Sequence, residues 1–397
     1  MFKKLLSMML VSAMVLTLTA CGTKEDGTKD AGANSDATNG TNTEAPGESD
    51  NAGLFAPVAK EDIVVGVIHI GDPADGAGYS YAHDTGIVEM QESLGLANEQ
   101  IIRKNNVDDT DAVAIRTAME ECIEEGANII FGTSWGYMDT MEQLATEYPE
   151  VIFSHCSGYK SNGTNFNNYF GRIYQARYLS GIAAGLKTGS NKIGYVAAMG
   201  IENSEVTGGI NAFAMGVESV NPDAKIYVKV TNTWFDPTLE QQAAEALLDM
   251  GCDIIAQHAD TTAPQLAAEA RGVWSVGYNS DMTVDAPAAH LTAPIWQWGA
   301  YYTKAVQSVI DGTWTGENYF GGMDDGLIAL SPLSDNVAEG TKEAIDTAKE
   351  NILNGFKVFE GELIDNQGNQ VCAEGESISD GDITGAMNWY YRNVVAQ

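Results

Sequence analysis

The sequence predicts an α/β protein built as two Rossmann-like lobes joined by a hinge, and three observations carry that expectation. Short apolar runs alternate with helix-spaced segments from Ile63 onward, the pattern of a parallel sheet covered by helices. The alternation passes an Ala- and Gly-containing helical segment at 173–187 and then starts a second series of the same kind. About 340 residues follow the low-complexity N-terminal region, too many for one ordinary core and enough for two.

The first series opens with Ile63–Val64–Val65–Gly66–Val67–Ile68, which reads as a buried strand. A polar, glycine-rich stretch follows, Gly71 to Gly86, and a helix begins within it at about Tyr81. Ile87, Met90 and Leu94 share one face of that helix, and Gly95 stops it. Ile101–Ile102–Arg103 is a short strand, and Asp109 to Glu125 a helix with Ala112, Ile115, Ala118, Met119 and Cys122 on one side. Asn128 to Phe131 is a strand, the next helix is ended by Pro149, and Val151 to Phe153 is a strand again. The second series has strands at 192–197, 225–230, 253–256 and 273–276, with helices at 208–220, 238–250 and 263–270 between them. Helices at 300–310 and 338–353 open no further full series, so they are expected to return to the first lobe. Beyond Phe356 only short strand-like pieces and the turn Asp365–Asn366–Gln367–Gly368 are legible. This gives a first lobe at 59–172, a second at 173–282, and a return, hinge and C-terminal region at 283–397.

The N-terminus carries an address. Lys3 and Lys4 precede an apolar stretch, Leu5 to Leu18, and Leu18–Thr19–Ala20–Cys21 closes it, so residues 1–20 read as a secretory signal peptide. The run is shorter than the ~20 apolar residues that span a bilayer. Its end resembles a bacterial lipobox, which implies cleavage before Cys21 and an anchor that holds the protein to the outer face of the cell membrane. Residues 21–58 are rich in Gly, Ser, Thr, Asn, Asp and Glu and read as a disordered acidic linker, because they cannot bury enough apolar surface to fold. The net charge of −34 argues against a nucleic-acid partner and accords with solubility outside the cell. Cys122, Cys156, Cys252 and Cys372 form no CxxC pair and read as buried free thiols, so neither a metal nor another cofactor is expected.

In open α/β sheets ligands bind beyond the carboxyl ends of the strands, so the residues there are the candidate site. The first strand is followed by Asp75, Tyr79 and Tyr81, and the third by Ser134 and Trp135. In the second series Trp234, Asp260, and then Tyr278 with Asp281 follow successive strands, and Trp296 lies at the return to the first lobe. Four of the seven tryptophans, Trp135, Trp234, Trp296 and Trp298, fall at such junctions, where core packing alone would seldom put them. Aromatic faces with a few carboxylates suit a flat heteroaromatic ligand: a base stacked on an aromatic ring gains about 1–3 kcal/mol, and its polar edge supplies selectivity.

Two enzyme readings compete. Gly132–Thr133–Ser134–Trp135–Gly136 matches the G-x-S-x-G nucleophile elbow between a strand and a helix, and Asp260 and His290 complete a Ser, Asp, His order for a secreted hydrolase. That triad would have to span the hinge. His83 and His258 are metal-ligand types but have no partner at i+4, and turn or hydrogen-bond roles suit them better.

The stretches GYSYAHDTG, FGTSWGYMD, GRIYQARYLSGIAAG, NKIGYVAA, GINAFAMG, NTWFDP, DIIAQHAD, GYNSDM and YYTKAVQSVIDGTW resemble the basic membrane protein (BMP) lipoproteins, the solute-binding components of ABC importers. The resemblance implies a type I periplasmic-binding-protein fold, a purine held between closing lobes, no enzymatic activity, a monomeric receptor, and partnership with an ABC permease and ATPase. In nucleoside-binding members an aromatic residue of the first loop stacks on the base, and Tyr79 matches it. Asp281 matches an acidic residue that grips ribose, but Trp296 stands where a ribose-binding lysine is expected. The resemblance therefore favours a free purine nucleobase, with a nucleoside receptor or a ligand-sensing lipoprotein without a transporter as alternatives.

Overall fold

The computed structural model describes residues 53–396; the segment expected as a signal peptide, Cys21 and the expected linker up to residue 52 lie outside the described residues. Residues 53–58 are held in place. The N–H groups of Gly53, Leu54 and Val58 donate to the carbonyls of Gly312, Trp314 and Val309, so the ordered body begins before the boundary expected at 59. Phe55 and Val58 supply the reason, since both pack on the first core.

The chain forms β1 (Val65–Ile68), α1 (Gly78–Leu94), β2 (Ile101–Lys104), α2 (Ala112–Glu124), β3 (Ile129–Gly132), α3 (Met138–Glu147), β4 (Ile152–Cys156) and β5 (Phe166–Gly171). A long helix, α4 (Ile173–Lys187), leads into β6 (Lys192–Ala197), α5 (Ser204–Val220), β7 (Lys225–Val230), α6 (Pro237–Asp249), β8 (Ile254–His258), α7 (Ala263–Ala270), β9 (Trp274–Val276) and β10 (His290–Thr292). Then come β11 (Pro294–Trp296), α8 (Gly299–Ile310), β12 (Tyr319–Gly321), β13 (Ile328–Leu330), α9 (Thr341–Leu353), β14 (Leu363–Ile364), β15 (Gln370–Cys372), α10 (Asp380–Gly385) and β16 (Val394–Ala396).

Two parallel six-stranded sheets result, ordered β12-β5-β4-β3-β1-β2 and β10-β9-β8-β6-β7-β16. Without its added edge strand each sheet has the same doubly wound order, the second strand of the series pairing outside the first. The reversal points therefore fall between β1 and β3 and between β6 and β8. Each sheet is apolar on both faces. The first lies between a core shared with α1, α4 and α8 and one shared with α2 and α3. The second lies between α5 with the C-terminal segment and α6 with α7. This is the α/β arrangement expected of two Rossmann-like lobes.

Two segments expected in the return to the first lobe, His290–Thr292 and Val394–Ala396, are strands of the second sheet, beside β9 and β7. Such short strands are selected by the open edge they meet and not by a pattern of their own. The chain crosses between sheets at Arg172, at Ala293 and at Ser331. The last two crossings lie side by side: Ser331 N–H donates to the Ala293 carbonyl at 2.8 Å, and Ala293 N–H donates to Ser331 Oγ at 2.8 Å.

Helix α4 packs against α5 through small residues. A Cβ on Gly181 would collide with the Phe213 carbonyl, and one on Gly216 with the Tyr178 carbonyl. Gly216→Ala gains about 1 kcal/mol of helix propensity yet must force these backbones apart. It is expected to lower the unfolding free energy by about 1–3 kcal/mol, measured by urea denaturation; equal or greater stability would refute the close approach.

Candidate ligand site between the lobes

The first lobe contributes an aromatic column. Helix α1 begins at Gly78, whose φ of +82° and position against the Asp260 carbonyl of the second lobe leave no room for a Cβ. Tyr79 follows, its hydroxyl 3.2 Å from Cys156 Sγ and its ring edge-on to His83 at 4.4 Å. The His83 ring stacks on Trp298 at 4.3 Å, Trp298 stacks on Trp296 at 4.3 Å, and Phe170 covers Trp296 at 4.9 Å. A hydrogen bond of 2.6 Å ties His83 Nδ1 to the Tyr302 hydroxyl, which is 2.9 Å from that of Tyr169. Burial drives the His83 imidazole well below its ordinary range, with His69 adding to the effect, so it is neutral.

The second lobe supplies polar groups. A parallel bridge between Asn279 and Ile295 sets Tyr278 beside Trp296, whose Nε1–H points at the Tyr278 hydroxyl at 3.4 Å. The Tyr278 ring carries the Arg177 guanidinium on one face at 3.9 Å and meets His258 at 4.7 Å. Asn279 Nδ2 donates to Asp260 Oδ1 at 2.8 Å, and Asp260 N–H donates to the Trp234 carbonyl. Buried Glu240 braces these loops, accepting from the Thr261 hydroxyl at 2.7 Å and from the Asp236 N–H at 3.2 Å. Glu205, in the first turn of α5, stands 3.8 Å from His258 Nε2.

Several buried polar atoms here have no partner: Arg177 Nε and Nη2, both nitrogens of His258, Asn279 Oδ1 and Trp298 Nε1. Buried groups of this kind are nearly always satisfied, and these atoms are closed off from solvent as well as unpartnered. Asp260 and Glu205 are half-buried, yet protein surrounds them. Desolvation pushes the Asp260 carboxyl up to about 8, opposed by its bond from Asn279, and the Glu205 carboxyl up to about 7, opposed by Arg177.

The structure thus brings together Tyr79, Trp234, Asp260, Tyr278 and Trp296. The other five residues expected in the site do not join this cluster. Asp75 is exposed in a short 3-10 turn. Tyr81 lines a surface cleft with Asp84 and Arg103. Trp135 is 56% exposed and packs on Tyr159. Asp281 caps its own turn by accepting from Thr283 N–H at 2.9 Å. Ser134 Oγ donates to Asp109 at 2.6 Å, and its histidine neighbour, His155, bonds to the Ser134 carbonyl instead, so the Ser134–His290–Asp260 triad is not assembled. Asp260 is committed to Asn279, while His290 faces Gln265 and Asp281. Sequence reasoning did not bring His83, Arg177 and Glu205 into this candidate cluster, where they contact Tyr79, Tyr278 and His258. Arg177 did leave a signal, a cation in the apolar stripe of an Ala- and Gly-rich helix.

Two doubly wound lobes, with aromatic faces and half-buried carboxyls where they meet, suit a solute-binding protein. A family model described as ABC transporter substrate-binding protein PnrA-like (Bmp) matches residues 63–361, and the chain belongs to that family. It is 36% identical to a purine-binding protein of Brucella abortus over 85% of this chain and 94% of that one. It is also 36% identical to TsgA13 of Haloferax volcanii, provisionally named an ABC transporter glucose-binding protein, over 82% of each chain. Among solved structures, an ABC transporter solute-binding protein from Aeropyrum pernix superposes with a TM-score of 0.63 at 19% identity, over 74% of this chain and 92% of that one. As an ABC solute-binding protein it is extracytoplasmic, binds a small solute and works with a permease and an ATPase. No helix among the described residues is long and apolar enough to cross a membrane.

The raised carboxyls have a consequence for stability. A folded-state pKa above the unfolded value of about 4 means stability that is full below about pH 4 and lost progressively above it, the loss being complete once pH has risen through the folded values of about 7 and 8. The buried histidines act oppositely, costing stability only below about 6.5, their unfolded value. The melting temperature of the ligand-free protein is therefore expected to fall between pH 6.5 and 8.5. In Asp260→Asn that slope should shrink; an unchanged slope would show that Asp260 is ionised throughout.

Proposed function

We propose that the protein is the lipid-anchored receptor of an ABC importer and carries a purine nucleobase between its lobes to the permease. The carrying observation is the juxtaposition of half-buried aromatic faces, Tyr79 and Trp234 among them, with the half-buried carboxyls of Asp260 and Glu205. A purine is flat, apolar on its faces and ringed with donors and acceptors, so it meets both demands at once. Two carboxyls that burial holds near neutrality favour a solute without net charge. The Brucella relative's name supports the purine reading.

Trp296 supports a base over a nucleoside. Its indole is 5% exposed and packed between Trp298 and Phe170, so the space it fills is closed to a ribose. Each ribose hydroxyl buried without a partner costs about 1–3 kcal/mol. Closure follows from the same geometry: Gly78 of one lobe lies on the Asp260 carbonyl of the other, so ligand contacts from both lobes stabilise this arrangement over an open one.

Calorimetry on the purified chain, freed of carried-over ligand, should show binding of a purine base at least a hundredfold tighter than its nucleoside, and none of D-glucose. Nucleosides equal to bases would defeat the base reading, and glucose binding alone would favour the chemistry for which the Haloferax relative is named. Tyr79→Ala should weaken the base by about ten- to hundredfold if the ring stacks on it. Cys21→Ser should move the protein from the membrane fraction to the medium, and retention on membranes would count against the anchor.

A further inference from the structure

At the first of the three chain crossings a charged tie spans the junction of the lobes. Arg172, between β5 and α4, is anchored to the first lobe. Its N–H donates to the Gly321 carbonyl at 2.7 Å and its Nη1–H to the Phe320 carbonyl at 2.9 Å, with the guanidinium over the Phe320 ring at 5.3 Å. The rest of its donor edge reaches into the C-terminal segment. Nε–H and Nη2–H donate to Asp380 Oδ2 at 3.0 and 2.9 Å, and the Tyr174 hydroxyl donates to Asp380 Oδ1 at 2.6 Å. Asp380 opens α10, which belongs to the second lobe: Ile383 is part of the second core and lies on Gly208 of α5. Every other ion pair among the described residues stays within one lobe. Helix α10 also lies beyond residue 361, where the match to the family model ends.

We infer that Asp380 is a latch on the hinge, by which the C-terminal segment of the second lobe holds the first lobe in the apposed arrangement before any solute binds. The position of the tie carries this. Arg172 and Phe320 lie at the carboxyl ends of β5 and β12, and Gly208 is about one turn into α5, which begins past the carboxyl end of β6. The tie is therefore on the side where the lobes face each other, and swinging them apart about the crossings draws Asp380 away from Arg172. The cation is not stranded by that movement. Asp324 stands near it on the first lobe's own turn, since a Cβ on Gly322 would touch both the Asp324 carboxylate and the Arg172 guanidinium. Both partners of the tie are also partly exposed, at 29% and 35%. The latch thus biases the equilibrium and does not lock it, although three hydrogen bonds to one carboxylate make it stronger than a lone surface pair. Apparent affinity scales with the fraction of chains already in the binding arrangement, so the latch tunes affinity for whatever solute the lobes enclose. The inference stands on the pairing of two lobes and not on the purine reading.

The test needs no ligand. In a full chain carrying Cys21→Ser, spin labels are placed at Val113→Cys on the first lobe and Val284→Cys on the second, both strongly exposed, while the four remaining native cysteines are buried. The distance distribution between the labels is then measured by pulsed electron resonance with the native latch, with Asp380→Asn, with Asp380→Glu and with Tyr174→Phe, and melting curves verify folding. With the latch intact the separation of this structure should be populated. Asp380→Asn should shift the ratio of near to far populations towards far by about two- to tenfold; Asp380→Glu should restore most of it, and Tyr174→Phe should give a smaller shift in the same direction. Raising NaCl to about 1 M should move the unmodified latch the same way, because the Debye length falls to about 3 Å. That arm needs no folded variant at residue 380. Distributions that ignore both salt and Asp380→Asn would overturn the inference. A lowered melting temperature with unchanged distances would make Asp380 a packing residue of α10 and overturn it too, as would a shift towards shorter separations.

Discussion

Helix α4 must satisfy three environments at once, and the rest of the structure follows from how it does so. Ile173, Ala176, Leu179 and Ile182 face the first core; Ala184 belongs to the second; and Gly181 and Gly185 lie against the backbone of α5. A helix buried nearly all round would ordinarily be wholly apolar. This one keeps Arg177 on a buried side, where the only local acceptor taken up is a main-chain carbonyl at the end of β8. The small residues that let α5 approach so closely bring the first turn of α5, with Glu205, to the same place. One helix therefore joins the lobes, fixes the spacing of the second and delivers the central cation.

The two sheets repeat one winding order, and the site sits at the reversal point of each, beyond β1 in one and beyond β6 and β8 in the other. At such a point adjacent loops diverge, which opens a crevice without distorting the sheet. The division of chemistry between the two crevices is uneven. The first lobe offers a column of stacked rings held by a buried hydroxyl chain, and the imidazole in that column, His83, is neutral. The second offers carboxyls, amides and the guanidinium.

Most of the fold was legible because its elements are long enough to carry a period: α4, β6, β7 and α7 appear at the residues the spacing marks. What escaped were strands of two or three residues, such as His290–Thr292 and Tyr319–Gly321, and the more polar Phe166–Gly171, which owe their form to a neighbouring edge. Of the candidate site, strand ends pointed to Tyr79, Trp234, Asp260, Tyr278 and Trp296, which the fold gathers where the lobes meet. Strand ends were too generous a criterion for Trp135 and Asp281, which sit on loops that turn away from the crevice. They were too narrow for Arg177 and His83, which reach the site from inside helices, where sequence position says nothing of direction across the lobes.

The last strand of the second sheet, Val394–Ala396, lies against β7, and its arrival covers an edge that has stood open since residue 230 was made. Tyr391 and Asn393 of the same segment then bond to the middle of α5. The second lobe is therefore unfinished until almost the whole chain is available, and its closing contacts span more than 160 residues. Loops of that length close slowly. In a protein that works outside the cytoplasm, a lobe that cannot complete itself early leaves the polypeptide loose for export and postpones its tightening until the carboxyl end has passed through.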